Sequence, residues 1–284
     1  MATTTTAQEK KDWSATQYLK FNNERTRPVY DLVSQLTAHL SSSPSPRIYD
    51  LGCGPGNSTK VILDHFPTAR ITGMDSSPDM LQKAKAALPN VEFVAADVST
   101  FKVDGKADLI FSNALFQWLR SSHRIPTLAD LFHGLSTGGL IAVQAPDNYD
   151  EPSHALMRVT AELADRPWTP FFKDTRIGDL SDAQRPDLDP MEAPAQFYNA
   201  LVPHASSVNV WQTRYHHVLD DARAIVEWVK ATGLQPFLNR IEDEAAKQAF
   251  LHEYEKRVEE AYPRLADGKV LLVYPRLFVV AVRK

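Results

Sequence analysis

The sequence predicts an α/β fold with a Rossmann-like, mostly parallel sheet, and two observations carry this prediction. Between residues 47 and 145, short apolar segments alternate with amphipathic ones, a pattern typical of repeated strand-helix units. Directly after the first apolar segment comes a glycine-rich loop, Gly52-Cys53-Gly54-Pro55-Gly56. Glycine lets the backbone turn sharply and approach a ligand closely. We therefore expect a parallel sheet with a ligand site at the end of its first strand.

The individual elements follow from the order of the apolar segments. Strands are expected over residues 47–49, 71–74, 91–95, 108–112, 139–144, 208–217 and 270–282. Helices are expected over residues 57–66, 220–232 and 241–262, and another begins at Pro78 with Ser76 or Ser77 as its cap. Pro275, inside the last strand, lacks a backbone N–H and predicts an edge position or a bulge there.

The domain organisation follows from changes in composition along the chain. Residues 1–12 are polar and Thr-rich and predict a disordered tail, and residues 13–284 predict a single domain with a cap or lid insertion at about 148–207. Within that insertion, residues 168–204 hold a cluster of prolines, which disfavours long regular elements. A long irregular segment in a compact enzyme is typical of a lid or binding loop.

The overall composition narrows the class of protein. With 284 residues, 43% hydrophobic content and 23% charged content, the chain resembles an ordinary soluble enzyme. A net charge of −4 and a pI of 6.1 argue against a nucleic-acid partner. The single cysteine, Cys53, excludes an internal disulfide, and no apolar stretch has the roughly 20 residues of a membrane span. We expect a cytoplasmic monomer or homodimer without a membrane partner.

The glycine loop indicates which cofactor binds. Its glycines are spaced G-x-G-x-G, whereas the dinucleotide fingerprint would require a glycine where Asn57 stands. Asp50 precedes the first glycine by two residues. A carboxylate there would repel a pyrophosphate but attract the sulfonium and ammonium groups of S-adenosylmethionine (SAM). The loop favours SAM over NAD as cofactor, with no metal.

Polar side chains also stand at the ends of the next three predicted strands. Asp75, Asp97 and Asn113 follow the second, third and fourth strands, and the carboxyl ends of parallel strands share one edge of a sheet. Asp75 has the reach to accept both hydroxyls of a ribose. Asp97 can accept the exocyclic amine of adenine, while Val98 can supply a backbone N–H. Together with Asp50 these residues predict a cofactor rim.

Several longer motifs resemble the trans-aconitate methyltransferase family of class I methyltransferases. They are Trp13-Ser14-x-x-Gln17-Tyr18-Leu19-x-Phe21-x-x-Glu24-Arg25-x-Arg27-Pro28, Asp50 to Thr59, Arg70 to Pro78, Leu115 to Leu119, Pro146-Asp147-Asn148 with Glu151-Pro152, and Tyr274 to Phe278. The resemblance implies a seven-stranded sheet with its last strand antiparallel, and a helical cap. It also implies transfer of the SAM methyl group to a carboxylate of a small polycarboxylic acid, giving a monomethyl ester. Residues 168–204 look longer and more proline-rich than expected of bacterial members.

The expected chemistry is positioning rather than acid–base catalysis. A carboxylic acid with a pKa of about 4 is already ionised at neutral pH, so we assign no catalytic base. Further substrate carboxylates call for arginine, and Arg214 is an additional candidate clamp. Phe116 and Phe21 are expected to help exclude water.

The predicted cofactor residues are Trp13, Arg25, Asp50, Gly52, Gly54, Asp75, Ser76, Asp97, Val98 and Asn113. The predicted substrate residues are Tyr18, Arg27, Gln117, Trp118, Tyr215, His216 and Arg276.

Three alternatives stay open at this point. Within the same class, the acceptor is a different di-acid, such as an aromatic or furan dicarboxylate admitted by the altered lid. From another class, the glycine loop serves an NAD-dependent oxidoreductase. A third alternative is a protein of the same fold that binds SAM without catalysing transfer.

Overall fold

A computed structural model describes residues 21–40, 43–104 and 107–284. The described strands are β1 (Arg47–Leu51), β2 (Arg70–Asp75), β3 (Glu92–Ala95), β4 (Leu109–Asn113), β5 (Leu140–Pro146), β6 (Ala205–Leu219) and β7 (Val270–Arg283). They form one seven-stranded sheet in the order β3-β2-β1-β4-β5-β7-β6, in which β7 runs in the direction opposite to the other six strands. The predicted fold class and strand number are confirmed.

The described helices surround this sheet. They are α1 (Asn22–Ser34), α2 (Thr37–Leu40), α3 (Asn57–His65), α4 (Pro78–Ala87), α5 (Ser121–His133), α6 (Pro152–Ala161), α7 (Pro194–Leu201), α8 (Ala222–Lys230), α9 (Gln235–Arg240) and α10 (Glu244–Ala261). Short 3₁₀ turns occupy Phe116–Trp118, Thr169–Phe171 and Val202–His204. None of these helices is both long and apolar enough to cross a membrane.

The core has two layers, one on each face of the sheet. On the first face, α1 and α3 contribute residues such as Leu32 and Ile62 to a buried cluster with Phe111 and Phe278. On the second face, α5 and α7 bury Leu131 and Leu201 against the sheet. We call these the α1 face and the α5 face. The two layers hold the strands so that their carboxyl ends form one edge.

The cap consists of two stretches of chain. Helix α6 packs with α8, α9 and α10 in one apolar cluster, which includes Trp168 and Phe250. Ring centroids of these two residues lie 5.5 Å apart, and the Trp168 indole donates to the carbonyl of Thr160. The packing therefore adds residues 222–262 to the cap predicted at about 148–207. Helix α7, inside the predicted insertion, covers the sheet instead.

Pro275 was predicted to lie at a sheet edge or at a bulge, and neither is observed. Strand β7 is an interior strand, and the irregular pairing between β6 and β7 falls at Ala205/Ser207. Strand β5 ends at Pro146, which is paired with Arg276, so β7 passes the end of β5 at Pro275. The Pro275 carbonyl accepts from the N–H of Asp147 on that side. Because the N and O of a strand residue point the same way, the missing N–H removes no hydrogen bond to β6.

Candidate functional site

The site lies where the chain reverses its direction across the sheet. Strands β1 and β4 are neighbours, but the chain runs outward from β1 through β2 and β3 before it returns to β4. In open parallel sheets this arrangement leaves a crevice beyond the carboxyl ends of the two strands. The residues that follow β1, β2 and β4 are therefore the ones positioned to contact a ligand.

The glycine loop is held open by backbone hydrogen bonds. The N–H groups of Gly52 and Cys53 both donate to the carbonyl of Met74, at 2.7 and 2.9 Å. Gly52 has φ +70°, and a Cβ there would lie 2.8 Å from Leu115, so a larger residue would clash. Gly54 has φ +55°, and a Cβ there would meet nothing within 4 Å in the part of the chain that the structure describes, apart from its chain neighbours. These residues therefore leave open space at Gly54.

Asp75 joins this loop to the next helix. One of its carboxylate oxygens accepts from the N–H of Gly54 and the other from the N–H of Ser77, each at 2.9 Å. Ser77, rather than Ser76, caps α4 by accepting from the N–H of Met80. The carboxylate is thereby fixed at the end of β2, beside the loop, while Ser76 is exposed.

Asp50 is fully buried within β1. Its Oδ2 accepts from the hydroxyls of Ser58 and Thr59 at 2.7 and 2.6 Å, which ties β1 to the first turn of α3. Burial raises the pKa of Asp50 to about 6, and the hydrogen bonds from Thr59 and Ser58 oppose that shift. Burial also raises the pKa of the Cys53 thiol far above its ordinary value. Cys53 is therefore a neutral, buried thiol within the loop.

The strand register places a row of polar side chains on the α1 face. Asp50 pairs with Phe111, two residues before Asn113, and Asn113 pairs with Gln144. Gln144 pairs in turn with Phe278, two residues after Arg276. Paired residues, and residues two apart on one strand, point to the same face of a sheet. Asp50, Asn113, Gln144 and Arg276 therefore share one face along the carboxyl edge.

Buried polar atoms without a hydrogen-bond partner among the described residues divide into two groups along this edge. Acceptors occur near the ends of β1 and β4, and they are Asp50 Oδ1, Asn113 Oδ1 and Gln117 Oε1. Nitrogens occur toward β5, β6 and α8. They are Gln144 Nε2 and Trp228 Nε1, which are donors, and His217 Nε2, which is a donor in the tautomer that carries its proton there. We call these groups the acceptor half and the donor half. Unsatisfied buried polar groups are uncommon, and here they indicate a polar ligand.

Aromatic rings line the donor half. Beyond the end of β5, β6 and β7 continue as a two-stranded ribbon, in which Tyr215 pairs with Tyr274. His217 lies two residues after Tyr215 on the same face, and its ring stacks on Trp228 of α8 with centroids 4.8 Å apart. Tyr274 lies 5.6 Å from Trp228. The ribbon and α8 thus form an apolar wall that excludes water.

Two buried arginines lie against this wall. Arg25 donates to the carbonyl of Trp228 at 2.8 Å, and its guanidinium lies 4.9 Å from the centroid of that ring. Arg276 donates to Oε1 of Gln144 at 2.9 Å and lies 5.0 Å from the Tyr274 centroid. Burial, with the charges of Arg276, Arg27, Arg25 and His216, lowers the pKa of His217 to about 4. His217 is therefore a neutral ring in a positive field.

The other predicted residues lie at different distances from this centre. Arg27 is exposed, 5.3 Å from the centroid of Tyr215, whose hydroxyl donates to Asp31. Gln117 and Trp118 lie on the 3₁₀ turn after β4, and Gln117 donates to the carbonyl of Ala114 at 2.6 Å. At the far side, Asp97 is exposed and accepts from the N–H of Ser99, and Val98 is partly buried.

Some predicted residues do not converge on the site. His216 is exposed on the face opposite Tyr215, because neighbouring strand residues alternate between faces. Arg214 shares that opposite face and donates to Glu151. Phe116 is buried in the core of the α5 face, whereas Phe21 does contact Trp228. Trp13 and Tyr18 lie outside the described residues.

Three residues of the donor half were missed by the sequence analysis. Gln144 carried a signal, because it is a polar residue within an otherwise apolar strand. His217 carried another, because it alternates with Tyr215 and therefore shares its face. Trp228 lies at helical spacing among the apolar residues of α8, so the sequence did not distinguish it from ordinary core.

The lid is anchored to the site by buried arginines. Arg124 of α5 is buried and donates to Glu192 at 2.7 Å and to the carbonyls of Pro190 and Phe116 at 2.9 and 3.0 Å. Arg185, also buried, pairs with carboxylates of its own segment, and Arg120 binds that segment from the start of α5. The lid is therefore packed onto the turn that carries Gln117 and Trp118.

Comparisons with known proteins agree with this geometry. A family described as "Methyltransferase domain" matches residues 48–139. The trans-aconitate 2-methyltransferase of Agrobacterium fabrum is 47% identical over 275 residues, which cover 96% of this chain and 99% of that protein. The enzyme of the same name from Rhizobium rhizogenes is 44% identical over 272 residues, with the same coverage. The solved structure of the YcgJ protein from Bacillus subtilis has a TM-score of 0.52 at 10% identity, covering 90% of this chain and 99% of that one, and supports the fold alone.

Proposed function

Because this chain belongs to the trans-aconitate 2-methyltransferase family and is a SAM-dependent methyltransferase, we propose that its acceptor is trans-aconitate or a closely similar polycarboxylic acid. The product is a monomethyl ester of that acid. Membership of this family sets aside the NAD-dependent oxidoreductase that the glycine loop alone left open.

The observation that carries the proposal is the division of the edge into an acceptor half and a donor half. The acceptor half suits the cofactor, because SAM carries an ammonium and a sulfonium group, which carboxylate and amide oxygens stabilise. The donor half suits the substrate, because an ionised carboxylate can only accept hydrogen bonds. The two halves meet where Asn113 pairs with Gln144.

The residues present fit the cofactor. Asp50 Oδ1 and Asn113 Oδ1 are buried acceptors on the same face, and the open space at Gly54 leaves room for a ligand against the backbone. Asp75 is assigned to the ribose, and Asp97 with Val98 to the adenine, as their order along the edge implies. Bound SAM supplies the methyl group as an electrophile.

The residues of the donor half bind and orient the acceptor. Arg276 of β7 is buried beside the end of β5. Its planar guanidinium has the geometry to bind a carboxylate through two hydrogen bonds. Arg25 was predicted to bind the cofactor. Because it lies beside Trp228 in the donor half, we assign it to the acceptor acid instead. An ionised carboxylate needs no base, so the contribution of the protein is orientation and removal of water. The aromatic wall of Trp228 and Tyr274 performs the second task.

The test is an assay for methyl-ester formation with labelled SAM against a panel of mono-, di- and tricarboxylic acids, including a furan dicarboxylate. We expect base-labile label in the product and the highest kcat/KM with trans-aconitate. Ester formation with another di-acid but not with trans-aconitate would contradict the proposed acceptor. Binding of SAM without ester formation from any acid would indicate a non-catalytic protein.

A further inference from the structure

The donor half contains two buried ring nitrogens on adjacent, stacked side chains. The rings of His217 and Trp228 stack with centroids 4.8 Å apart, and neither His217 Nε2 nor Trp228 Nε1 has a hydrogen-bond partner among the described residues. His217 is 6% exposed and Trp228 is fully buried. A phenylalanine at position 217 would fill similar space without an unsatisfied polar atom, so packing alone does not account for the histidine.

The surroundings of this pair are suited to an anion. Arg276 and Arg25 are buried beside it, and their guanidinium groups lie 5.0 and 4.9 Å from the ring centroids of Tyr274 and Trp228. Tyr274 itself lies 6.4 Å from His217. Positive charge, N–H donors and aromatic walls therefore meet in one place. Such a site binds an acceptor-only group with little water between them.

The site is also continuous with the position of the reacting group. Arg276 donates to Gln144, which pairs with Asn113 at the boundary between the two halves. From Arg276, the same face of the ribbon leads through Tyr274 and Tyr215 to His217. A rigid acid whose first carboxylate lies beside Gln144 would extend its other carboxylates along this face.

We propose that His217 Nε2–H and Trp228 Nε1–H donate to a non-reacting carboxylate of the acceptor, and that this subsite selects polycarboxylates over monocarboxylates. The inference rests on the proposed function, because it specifies how that same site recognises its substrate. His217 acts as a neutral donor, and the adjacent arginines supply the charge.

The test measures acid binding separately from turnover. Trans-aconitate is titrated into the S-adenosylhomocysteine-bound enzyme by calorimetry, with crotonate as the monocarboxylate. The variants are His217→Phe and Trp228→Phe, which keep an aromatic ring and remove one donor. His217→Gln restores an N–H donor. Val218→Ala, at an exposed residue on the opposite face of β6, is the matched control.

We expect His217→Phe and Trp228→Phe each to weaken trans-aconitate binding at least tenfold, with the affinity for S-adenosylhomocysteine within twofold of wild type. His217→Gln should recover part of that loss, and Val218→Ala should bind as wild type does. Crotonate binding should be weak and unaffected by any variant. If Trp228→Phe does not fold, the two His217 variants decide the question.

An unchanged Kd for trans-aconitate in His217→Phe would overturn the subsite, as would wild-type enzyme that prefers crotonate or binds neither acid. Loss of S-adenosylhomocysteine binding in parallel would indicate structural damage and would also count against it. If wild type binds trans-aconitate but forms no ester, the proposed function fails while the subsite is still judged by the variant affinities.

Discussion

Arg276 of β7 donates to the amide oxygen of Gln144 on β5 at 2.9 Å, and both side chains are buried at the carboxyl edge of the sheet. This bond fixes the orientation of the Gln144 amide, so its NH₂ group is directed away from Arg276. The pair therefore presents N–H groups from two strands at the boundary between the cofactor and acceptor sites.

Replacement of Arg276 should impair use of the acceptor. Loss of a charge-assisted hydrogen bond costs about 1.5–3 kcal/mol, which is about a ten- to 150-fold fall in kcat/KM for trans-aconitate. Arg276→Lys should recover little, because an ammonium group does not reproduce the planar fork of arginine. Steady-state kinetics measure the effect, with Arg264→Ala at an exposed position as control. An unchanged kcat/KM in Arg276→Ala would contradict this role.

The sheet and its edge followed from sequence because they depend on local patterns. The strands, the glycine loop, and the positions of Asp50, Asp75 and Asn113 all rest on apolar alternation and on the rule that parallel strands end at one edge. The donor half did not follow in full, since it depends on contacts between distant segments. Trp228 meets His217 and Arg25 only because α8 packs on the ribbon and α1.

The packing of the lid also depends on contacts between distant segments, which the sequence did not predict. Its prolines predicted an irregular segment, and the chain between α6 and α7 does contain only the one 3₁₀ turn, Thr169–Phe171. Its attachment could not be predicted, because Arg124 and Glu192 are 68 residues apart and neither belongs to a recognisable motif. The sequence pattern therefore predicted that the lid is irregular, whereas the way in which the lid packs depends on contacts between distant residues.

The titration of Asp50 should make stability depend on pH. Its pKa rises from an ordinary value of 3.8 to about 6 in the folded protein. A group whose pKa is raised on folding stabilises the protein fully below its unfolded pKa, and this contribution is lost as the pH rises through the folded pKa. Between about pH 4 and pH 6, the contribution of Asp50 to the stability of the ligand-free protein should therefore fall as the pH increases, in opposition to His217 and His154, whose lowered pKa values make stability rise over that range.

Asp50→Asn isolates this effect, because the amide stays neutral and its oxygen can still accept from Ser58 and Thr59. Relative to wild type, the ligand-free variant should be similar near pH 4 and more stable at pH 8, by up to roughly 3 kcal/mol for a shift of about two pKa units. SAM affinity should fall at the same time. Denaturant unfolding across this pH range measures the free energy of unfolding of both proteins. If the difference between them does not change with pH, the raised pKa of Asp50 is wrong.

A methyl group at Gly54 should interfere with the cofactor more than with folding. Gly54→Ala imposes a left-handed backbone on a non-glycine residue, which costs about 1–2 kcal/mol. Among the described residues, nothing beyond the chain neighbours of Gly54 lies within 4 Å of the added Cβ, so these residues leave room for it. If the cofactor occupies that space, the Kd for SAM should rise at least tenfold.

Gly138→Ala provides the matched control for this measurement. Gly138 also has a positive φ, +83°, and open space at its Cβ position, but it lies in the turn before β5, at the opposite end of that strand from the site. Both variants should lose similar stability, whereas Gly138→Ala should bind SAM as wild type does. Equal SAM affinities for the two variants would place the cofactor elsewhere.

The buried ion pair between Arg124 and Glu192 should hold the lid in place. Both side chains are largely buried, and Arg124 also donates to backbone carbonyls of the lid and of the turn carrying Gln117. Arg124→Met leaves the Glu192 carboxylate buried without its partner, which should cost about 3–5 kcal/mol. It should also make residues 162–193 more accessible to protease and raise the KM for the acceptor. The double variant Arg124→Met/Glu192→Leu removes both charges and should recover the part of the lost stability that comes from the unpaired carboxylate, but not the part that comes from the backbone carbonyls. If the single variant were as stable and as protease-resistant as wild type, the pair would not be the anchor, and the lid would depend on Arg120 and Arg185 instead.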